Sequence, residues 1–400
     1  MKTKRTTRLV MTAGVVVISA VLLAALPGLA SASAHASDPY LAADTRLNNS
    51  ATIGGAGSTF AAPLENAGQA LYLSRTPNAS INGYQAVGSG TGESDLIKKL
   101  VDWGGTDVPL QQSDINKDQP SGSNYQLSQF LQIPVGLGGV AIPFNVPGLK
   151  AGTHLTLTAS VLAQIYEAKI THWNNSQIRA LNPKIKMPTT KIVVVARADS
   201  SGTTYIFTDF LHIAAPSVWK SGPSKTPLTL PSGGIAGSGN PGVASDIANT
   251  PNSIGYVEYS YILLNPSLLR GVAAIKNRAG NAILPSQAGI ALAAAARPHV
   301  SSTVFAIVFE GGKKTYPIAG YTWAVIWQKC QTNNNECTLL VKYLDWLSHS
   351  GTSNGAVAGQ DVASLQGYVQ LPQNIQQLAR TTLLDARGTN GKVLLTANGG

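Results

Sequence analysis

Small hydroxyl residues recur in three glycine-containing turns of this 400-residue sequence. The turns are "GAGSTF" (55–60), "GSGTG" (88–92) and "DSSGTT" (199–204), and each lies between a predicted strand and a predicted helix. The first N–H groups of a helix have no partner within the helix, and the helix dipole adds positive potential there. Serine and threonine add neutral donors, and glycine lets a ligand approach the backbone. The three turns together therefore predict an anion-binding site.

The third turn follows Arg197, the last residue of the β-branched run "IVVVAR". A guanidinium is permanently charged, and its planar fork suits an oxyanion. Helix capping by serine or threonine would explain any one turn alone, so the hypothesis depends on three turns and one arginine occurring together. Nucleotide hydrolysis is not expected, because the sequence has no G-K-[ST] loop and "GSGTG" lacks the nucleotide-binding spacing.

Asp107, in "GGTDVPL", is the candidate acceptor of the site. A turn aspartate is often only a surface residue. A carboxylate beside an anion is unfavourable unless that anion carries a proton to donate, as phosphate does near neutral pH and sulfate does not. A site with a buried acceptor can reject a ligand that lacks the matching donor by a factor of about 10⁴–10⁵. Asp107 therefore favours phosphate over sulfate or molybdate, and leaves arsenate open.

Strands and helices alternate from residue 51 onward, which predicts an α/β fold with a mainly parallel sheet. The apolar run "QIPVGLGGVAIPFNVPG" is interpreted as a strand crossing between two lobes, and "LTLTASVLAQIYEAKITHW" begins a second α/β unit. Residues 275–316 have a poor pattern and are interpreted as a variable insertion. The segments "YPIAGYTWAVIW" and "CTLLVKYLDWLSH" predict a strand and an amphipathic helix, with another helix after Pro372.

Residues 1–36 have the pattern of a signal peptide, with four basic residues, an apolar stretch and small residues before a cleavage point after position 34 or 36. An uncleaved signal anchor is the alternative, because the apolar stretch is nearly long enough to span a bilayer. Residues 37–50 are polar and small, as in a linker. We therefore expect an exported protein of the periplasm or the cell-envelope exterior, without an evident lipid anchor.

The formal net charge is +10, but lysine and arginine are scattered and form no cluster interleaved with aromatic residues. Nucleic-acid binding is therefore not expected. The two cysteines, Cys330 and Cys337, lie in "CQTNNNEC", and in an oxidising compartment they predict a local disulfide. The six histidines show no ligand spacing, so neither a metal site nor a cofactor is expected.

The quoted turns belong to a longer set of segments that resembles the periplasmic phosphate-binding proteins of high-affinity phosphate ABC transporters. The resemblance runs from about Gly55 to the C-terminus, with gaps in 275–316. It includes "GAGSTFAAPL", "DWGGTDVPL", "RADSSGTTYIFTDFL", "GSGNPGV" and "IGYVEYSY". It implies a two-lobed periplasmic binding-protein fold, with doubly wound sheets joined by hinge crossovers near 138 and 317. Lobe I would comprise 51–138 plus 318–400, and lobe II 139–317.

The resemblance also implies a set of phosphate ligands. Asp107 would accept from protonated phosphate, Phe60 would donate its backbone N–H, and Asp199 would hold Arg197 in place. The predicted phosphate-binding residues are Ser58, Thr59, Phe60, Ser89, Asp107, Arg197, Ser201, Gly202 and Thr203. The sequence departs from the family pattern at Ala61, where the family has proline, and at Gly90 and Thr91. The implied function is capture of inorganic phosphate by a monomer and its delivery to permease subunits, without catalysis.

Three other classes of function are compatible with parts of the sequence: an enzyme, a binding protein for another oxyanion, and an adhesion or sensor protein. "GTSNG" (351–355) has the spacing of a hydrolase nucleophile elbow, but it follows a predicted helix where that elbow needs a strand. A secreted phosphate-binding fold with phosphatase activity would need a metal or an activated nucleophile, and neither is evident. A binding protein for another oxyanion, or a secreted adhesion or sensor protein with the same fold, are the remaining alternatives.

Overall fold

The computed structural model describes residues 51–268, 271–300, 305–351 and 357–396. The predicted signal peptide (1–36), the predicted linker (37–50) and the serine of the "GTSNG" motif lie outside the described residues. Within the described ranges, no helix combines the length and the apolar character needed to cross a membrane.

The strands of the described residues vary from two-residue pairings to runs of nine and twelve residues. In chain order they are β1 (Ala51–Ile53), β2 (Gly55–Gly57), β3 (Ala79–Ile81), β4 (Gln85–Ala86), β5 (Trp103–Thr106), β6 (Phe130–Ala141), β7 (Phe144–Asn145), β8 (Thr156–Leu157), β9 (Val193–Arg197), β10 (Ile235–Gly237), β11 (Ser253–Ile254), β12 (Val257–Glu258), β13 (Ala274–Lys276), β14 (Ala282–Ile283) and β15 (Ala319–Trp327).

The helices alternate with these strands, as the sequence predicts. They are α1 (Ala62–Arg75), α2 (Ser89–Ile97), α3 (Gln112–Asp118), α4 (Ala159–Tyr166), α5 (Ser176–Leu181), α6 (Gly202–Ala214), α7 (Gly239–Asn249), α8 (Tyr259–Leu264), α9 (Gln287–Ala295), α10 (Asn334–Leu347), α11 (Gly359–Leu365) and α12 (Gln373–Leu383).

A six-stranded sheet in the order β12-β6-β15-β5-β2-β4 forms the first α/β unit. Its two longest strands, β6 and β15, are antiparallel and buried along their whole length. The pairing register shifts between Thr322 and Trp323, opposite Pro134. Proline has no N–H to donate to a ladder, so it is tolerated in a sheet at an irregularity of this kind. Strands β5, β2 and β4 are parallel to one another and end at the site described below.

A four-stranded sheet in the order β10-β9-β11-β7 forms the second α/β unit. Its central strand β9 is parallel to both β10 and β11 and ends at Arg197. Strand β6 leads into β7, so the chain passes between the two sheets at residues 142 and 143, near the crossover predicted at 138. Residues 255 and 256 also join the two sheets, between β11 and β12, a connection that the sequence did not indicate. The predicted lobe boundaries stay predictions.

The segment interpreted as an insertion, 275–316, contains parts of two short strands and one helix. Strand β13 pairs in parallel with β8 and antiparallel with β14. Helix α9 packs on the long strand β6, where a Cβ on Gly139 would meet Ile290. The weak sequence pattern therefore reflects short strands, which join β8 in a separate three-stranded sheet, and an alanine-rich helix that packs on the first sheet.

Aromatic residues fix the position of the third turn within the second unit. Phe207 of α6 stacks on Tyr256, with ring centroids 4.5 Å apart. The Tyr256 hydroxyl lies 2.8 Å from Oγ1 of Thr204 and accepts from the Arg197 backbone N–H at 3.4 Å. This packing joins the end of β9 to the start of α6, the two elements that flank the turn.

The predicted disulfide between Cys330 and Cys337 is present, with the two Cα atoms 5.8 Å apart. It closes the polar turn that links β15 to α10.

Candidate functional site

The first turn is held by three tyrosines from distant parts of the chain. Tyr84 donates its hydroxyl to the Ser58 carbonyl at 3.2 Å, and Tyr261 donates to the Thr59 carbonyl at 2.7 Å. Tyr368 donates to the next carbonyl, that of Phe60. Three successive carbonyls thus accept from protein donors, so they do not present negative partial charge to an anion. The N–H groups of trans peptides point the opposite way from these carbonyls.

Ser58 connects this turn to the candidate acceptor Asp107. Its hydroxyl donates to Oδ1 of Asp107 at 2.5 Å. The Ser58 hydroxyl oxygen also accepts from the backbone N–H groups of Phe60 at 2.9 Å and Ala61 at 3.3 Å. The Phe60 N–H, which the sequence predicts on the ligand, therefore contacts Ser58 in this structure.

The second turn brings Ser89 to the third turn. Gly88 has a φ of 94°, a conformation that glycine adopts without strain, and α2 begins at the next residue. The helix starts earlier than the sequence pattern indicates, because "SGTG" forms its first turn. The Ser89 hydroxyl accepts from the Gly202 N–H at 3.1 Å and from the Asp107 N–H at 3.4 Å.

Asp107 follows the end of β5 and is only 4% exposed. Burial raises the pKa of its carboxyl to about 6, although hydrogen bonds from Ser58, Thr322 and Ser89 and the charge of Arg197 act in the opposite direction. Oδ1 already accepts from Ser58, and the bond from Ser89 to Oδ2 is long, at 3.5 Å. Oδ2 is therefore the oxygen best placed to accept a proton from a ligand.

Arg197 is buried, and its guanidinium is held by Asp199 through two bonds. Nε donates to Oδ1 at 2.8 Å and one terminal nitrogen donates to Oδ2 at 2.5 Å. The other terminal nitrogen donates to Oγ1 of Thr203 at 3.2 Å. Asp199 also accepts from the Gly239 N–H at 3.0 Å. Its carboxylate is thus committed to orienting the arginine and the start of α7.

Ser201 is the N-cap of α6, since its hydroxyl accepts from the Thr204 N–H at 3.1 Å. The structure thus shows the capping role of Ser201, and its role in ligand binding stays a prediction. The first residues of α6, Gly202 and Thr203, are fully buried with Ser201.

Asn240, which the sequence analysis did not single out, lies at the centre of this cluster. It is fully buried in the first turn of α7. Its side-chain Nδ2 donates to Oγ1 of Thr59 at 2.9 Å and to Oγ1 of Thr203 at 3.0 Å. The sequence held a signal, because "GSGNPG" (237–242) is a further glycine–serine turn between a strand and a helix.

Glu258, at the end of β12, is a second buried carboxyl near Asp107. Its Oε2 accepts from the Ser260 N–H at 2.8 Å and from the Ser260 hydroxyl, and its own N–H donates to Asn240. Among the described residues, Oε1 has no hydrogen-bond partner. Burial raises the pKa of Glu258 to about 8, and the negative charge of Asp107 adds to that shift.

A partly buried ion pair lies beside the site. Lys225 is 2.5 Å from Glu93 of α2 and 2.8 Å from Asp114 of α3. Burial alone would lower the pKa of Lys225, but the two carboxylates raise it, so the ammonium remains charged. The Lys225 carbonyl accepts from the Ser201 N–H at 2.7 Å, which connects the ion pair to the third turn.

Apart from Ser201, the predicted site residues therefore form a cluster of two hydrogen-bonded halves, which the peptide bonds Ser58–Thr59 and Gly202–Thr203 connect, and Asn240 bridges Thr59 and Thr203 within one half. One half contains Ser58, Asp107, Ser89 and Gly202, and the other contains Thr59, Thr203, Arg197 and Asp199. Its donors are a guanidinium, hydroxyls and N–H groups, and its acceptor is a carboxylate. Such a cluster can bind an oxyanion that carries a proton. Within the described ranges, no group of three or more His, Cys, Asp or Glu side chains could hold a metal ion.

Comparisons with known proteins agree with this chemistry. A PBP superfamily domain matches residues 42–347. The chain is 33% identical over 328 residues to the phosphate-binding protein PstS of Haemophilus influenzae, covering 81% of this chain and 90% of that protein. It is 32% identical over 347 residues to PstS of Xylella fastidiosa strain Temecula1, covering 86% and 87% of the two chains.

One similar solved structure is that of PfluDING, a high-affinity periplasmic phosphate-binding protein with bound phosphate. It superposes with a TM-score of 0.65 at 24% identity, covering 83% of this chain and 94% of that chain. The likeness confirms the predicted two-lobed α/β fold of periplasmic binding proteins.

Proposed function

The chain belongs to the PstS family of phosphate-binding proteins, within the PBP superfamily, and on this premise we propose that it captures inorganic phosphate between its two lobes and delivers it to the permease of an ABC transporter. We further propose that it acts outside the cytoplasm, as an exported monomer, without catalytic activity. The predicted signal peptide supports export.

The observation that carries the proposal is the position of Asp107 among donors. Arg197, the turn hydroxyls and the helix N-termini supply positive charge and hydrogen-bond donors. A fully buried carboxylate in the same cluster would repel an anion that has no proton. Phosphate satisfies both requirements, since it accepts from the donors and donates its own proton to Oδ2 of Asp107. Arsenate meets the same requirements, so the site does not distinguish these two anions by protonation.

The size of the ligand bounds its affinity. The best small ligands gain about 1.5 kcal/mol for each non-hydrogen atom, and phosphate has five such atoms. This limit corresponds to a dissociation constant of about three micromolar, which charge-assisted hydrogen bonds can lower modestly.

Calorimetric titration of the exported, phosphate-stripped protein tests the proposal directly. We expect a dissociation constant of about one micromolar or tighter for phosphate, no measurable heat with sulfate, and arsenate binding close to that of phosphate. Folded protein that binds neither phosphate nor arsenate would overturn the proposal. Equal binding of phosphate and sulfate would retain an anion site but refute the role of Asp107.

A phosphatase assay on the same preparation separates binding from catalysis. It is run with phosphate monoesters in the presence of divalent metals and, separately, of a chelator. We expect no turnover under either condition. Turnover that rises with protein concentration and is lost in the Arg197→Ala variant would favour the enzymatic alternative.

A further inference from the structure

We propose that Asn240 is a positioning residue that fixes the hydroxyls of Thr59 and Thr203 as hydrogen-bond donors toward the bound anion. The inference rests on the proposed function, because it assigns how the site presents its donors to phosphate.

The Thr59 hydroxyl oxygen has both of its acceptor positions filled by Asn240. The backbone N–H of Asn240 donates to Oγ1 at 3.0 Å and its side-chain Nδ2 donates to the same atom at 2.9 Å. A hydroxyl oxygen accepts through two lone pairs and donates one proton. The Thr59 hydroxyl can therefore make one further hydrogen bond, and in that bond it must be the donor.

The Thr203 hydroxyl oxygen also has both of its acceptor positions filled, by donors from two different residues. Nδ2 of Asn240 donates to its Oγ1 at 3.0 Å, and the guanidinium of Arg197 donates to it at 3.2 Å. In the parts of the chain that the structure describes, neither threonine hydroxyl donates to a protein acceptor. Both protons are therefore free to bond to the ligand, and both are buried at the site.

The two serine hydroxyls of the cluster behave differently. Those of Ser58 and Ser89 also accept from two backbone N–H groups each, but they donate to Asp107. The serines thus support the acceptor of the site, and the threonines supply donors. Of these four hydroxyls, only those of the two threonines depend on Asn240 for the direction in which they donate.

The orientation of the Asn240 amide is itself fixed. Its Oδ1 accepts from the Glu258 N–H at 2.9 Å, so a flipped amide would place two donors against each other. Nδ2 therefore remains directed at the two threonines. The consequence is specificity, because oxygens that meet Thr59 and Thr203 must be unprotonated, and the ligand proton is restricted to Asp107.

The test measures phosphate affinity by calorimetry on the exported full chain. Asn240→Ala leaves one donor on each threonine and is expected to weaken binding about tenfold, the equivalent of one or two hydrogen bonds. Asn240→Asp preserves the shape and the bond from Glu258 but replaces Nδ2 with an acceptor, and we expect it to weaken binding more than alanine does. Asn249→Ala, at the other end of α7, is the matched control, because among the described residues the Asn249 side chain bonds only to Ser245.

Added negative charge would also weaken binding in Asn240→Asp, so that substitution is repeated in a Thr203→Val background. If Asn240 acts through the threonine hydroxyls, the fold-loss caused by Asn240→Asp is smaller when Thr203 has no hydroxyl. Equal losses in the two backgrounds would overturn the inference, as would wild-type affinity in Asn240→Ala or Asn240→Asp. Thermal unfolding verifies that each variant is folded. If Asn240→Ala does not fold, Asn240→Asp alone decides the test. Failure of the wild-type protein to bind phosphate would instead refute the proposed function.

Discussion

The Ser58 hydroxyl donates to one oxygen of the Asp107 carboxylate at 2.5 Å, whereas the other oxygen accepts only a long bond of 3.5 Å from Ser89. The carboxylate is thereby oriented before an anion arrives. Pre-orientation of this kind strengthens discrimination, because an unsuitable ligand cannot be accommodated by rotation of the side chain.

We expect Asp107→Asn to reduce discrimination between phosphate and sulfate by at least about tenfold, since it removes the repulsion of an unprotonated anion. The amide keeps the shape of the side chain and can donate to sulfate. Competition calorimetry with both anions provides the measurement. An unchanged phosphate-to-sulfate ratio would mean that Asp107 does not face the ligand.

Arg197→Lys should weaken phosphate binding by at least about tenfold although the positive charge is retained. An ammonium cannot span both oxygens of Asp199 and also donate to Thr203, which the guanidinium does in this structure. Titration of the lysine and alanine variants side by side separates geometry from charge. Equal affinity of Arg197→Lys and wild type would show that charge alone is sufficient.

Lys225→Met should lower both phosphate affinity and thermal stability. Lys225 belongs to predicted lobe II, whereas Glu93 and Asp114 belong to predicted lobe I, so the ion pair stabilises the arrangement in which the turns meet. Removing one partner of a buried pair costs about 3–5 kcal/mol at most, and less here because Lys225 is partly exposed.

The exposed Lys220 gives a matched control for the same change of charge. Lys220→Met should leave the melting temperature and the phosphate affinity close to those of the wild type. If the two methionine variants behave alike, the ion pair does not stabilise the arrangement in which the turns meet.

Glu258→Gln should change how stability depends on pH. The pKa of the folded carboxyl is raised from 4.5 to about 8, so between these values the folded state holds a proton that the unfolded state has released. The free energy of unfolding of the wild type therefore falls as the pH rises through this window, by about 1.4 kcal/mol per pH unit for one proton.

The glutamine variant cannot titrate at this position, and Asp107 titrates in both proteins. The stability of Glu258→Gln relative to the wild type should therefore increase from pH 5 to pH 8, as measured by denaturant unfolding. A constant difference across that range would contradict the protonated state of the buried carboxyl.

Much of the site was predictable because its residues follow strands whose ends meet. Arg197 and Asp107 stand at the ends of β-branched or glycine-rich strands, where turn chemistry is visible in the sequence. Asn240 was not predicted, since asparagine before proline is typical of any turn. Its role depends on contacts with Thr59 and Thr203, which are far from it along the chain.

The sequence did not predict the role of the tyrosines that hold the first turn, for a similar reason. Tyr84, Tyr261 and Tyr368 converge on three consecutive carbonyls from three separate segments, and no local pattern marks them. In the fold, residues 275–316 were difficult to predict because strands of two or three residues show no readable alternation. The long strands β6 and β15 were predictable, since continuous burial produces a continuous apolar run.

The position of β15 between β6 and β5 has a consequence for how the protein is made. The residues that pair with β6, such as Trp327 with Phe130, are synthesised only after the whole second sheet. Strand β6 therefore leaves the ribosome before its partner β15 has been synthesised, so the edge that pairs with β15 has no partner. The first sheet cannot be completed until nearly the entire polypeptide has emerged. Pairing across such a long stretch of chain is slow, so the first sheet is expected to form late in folding.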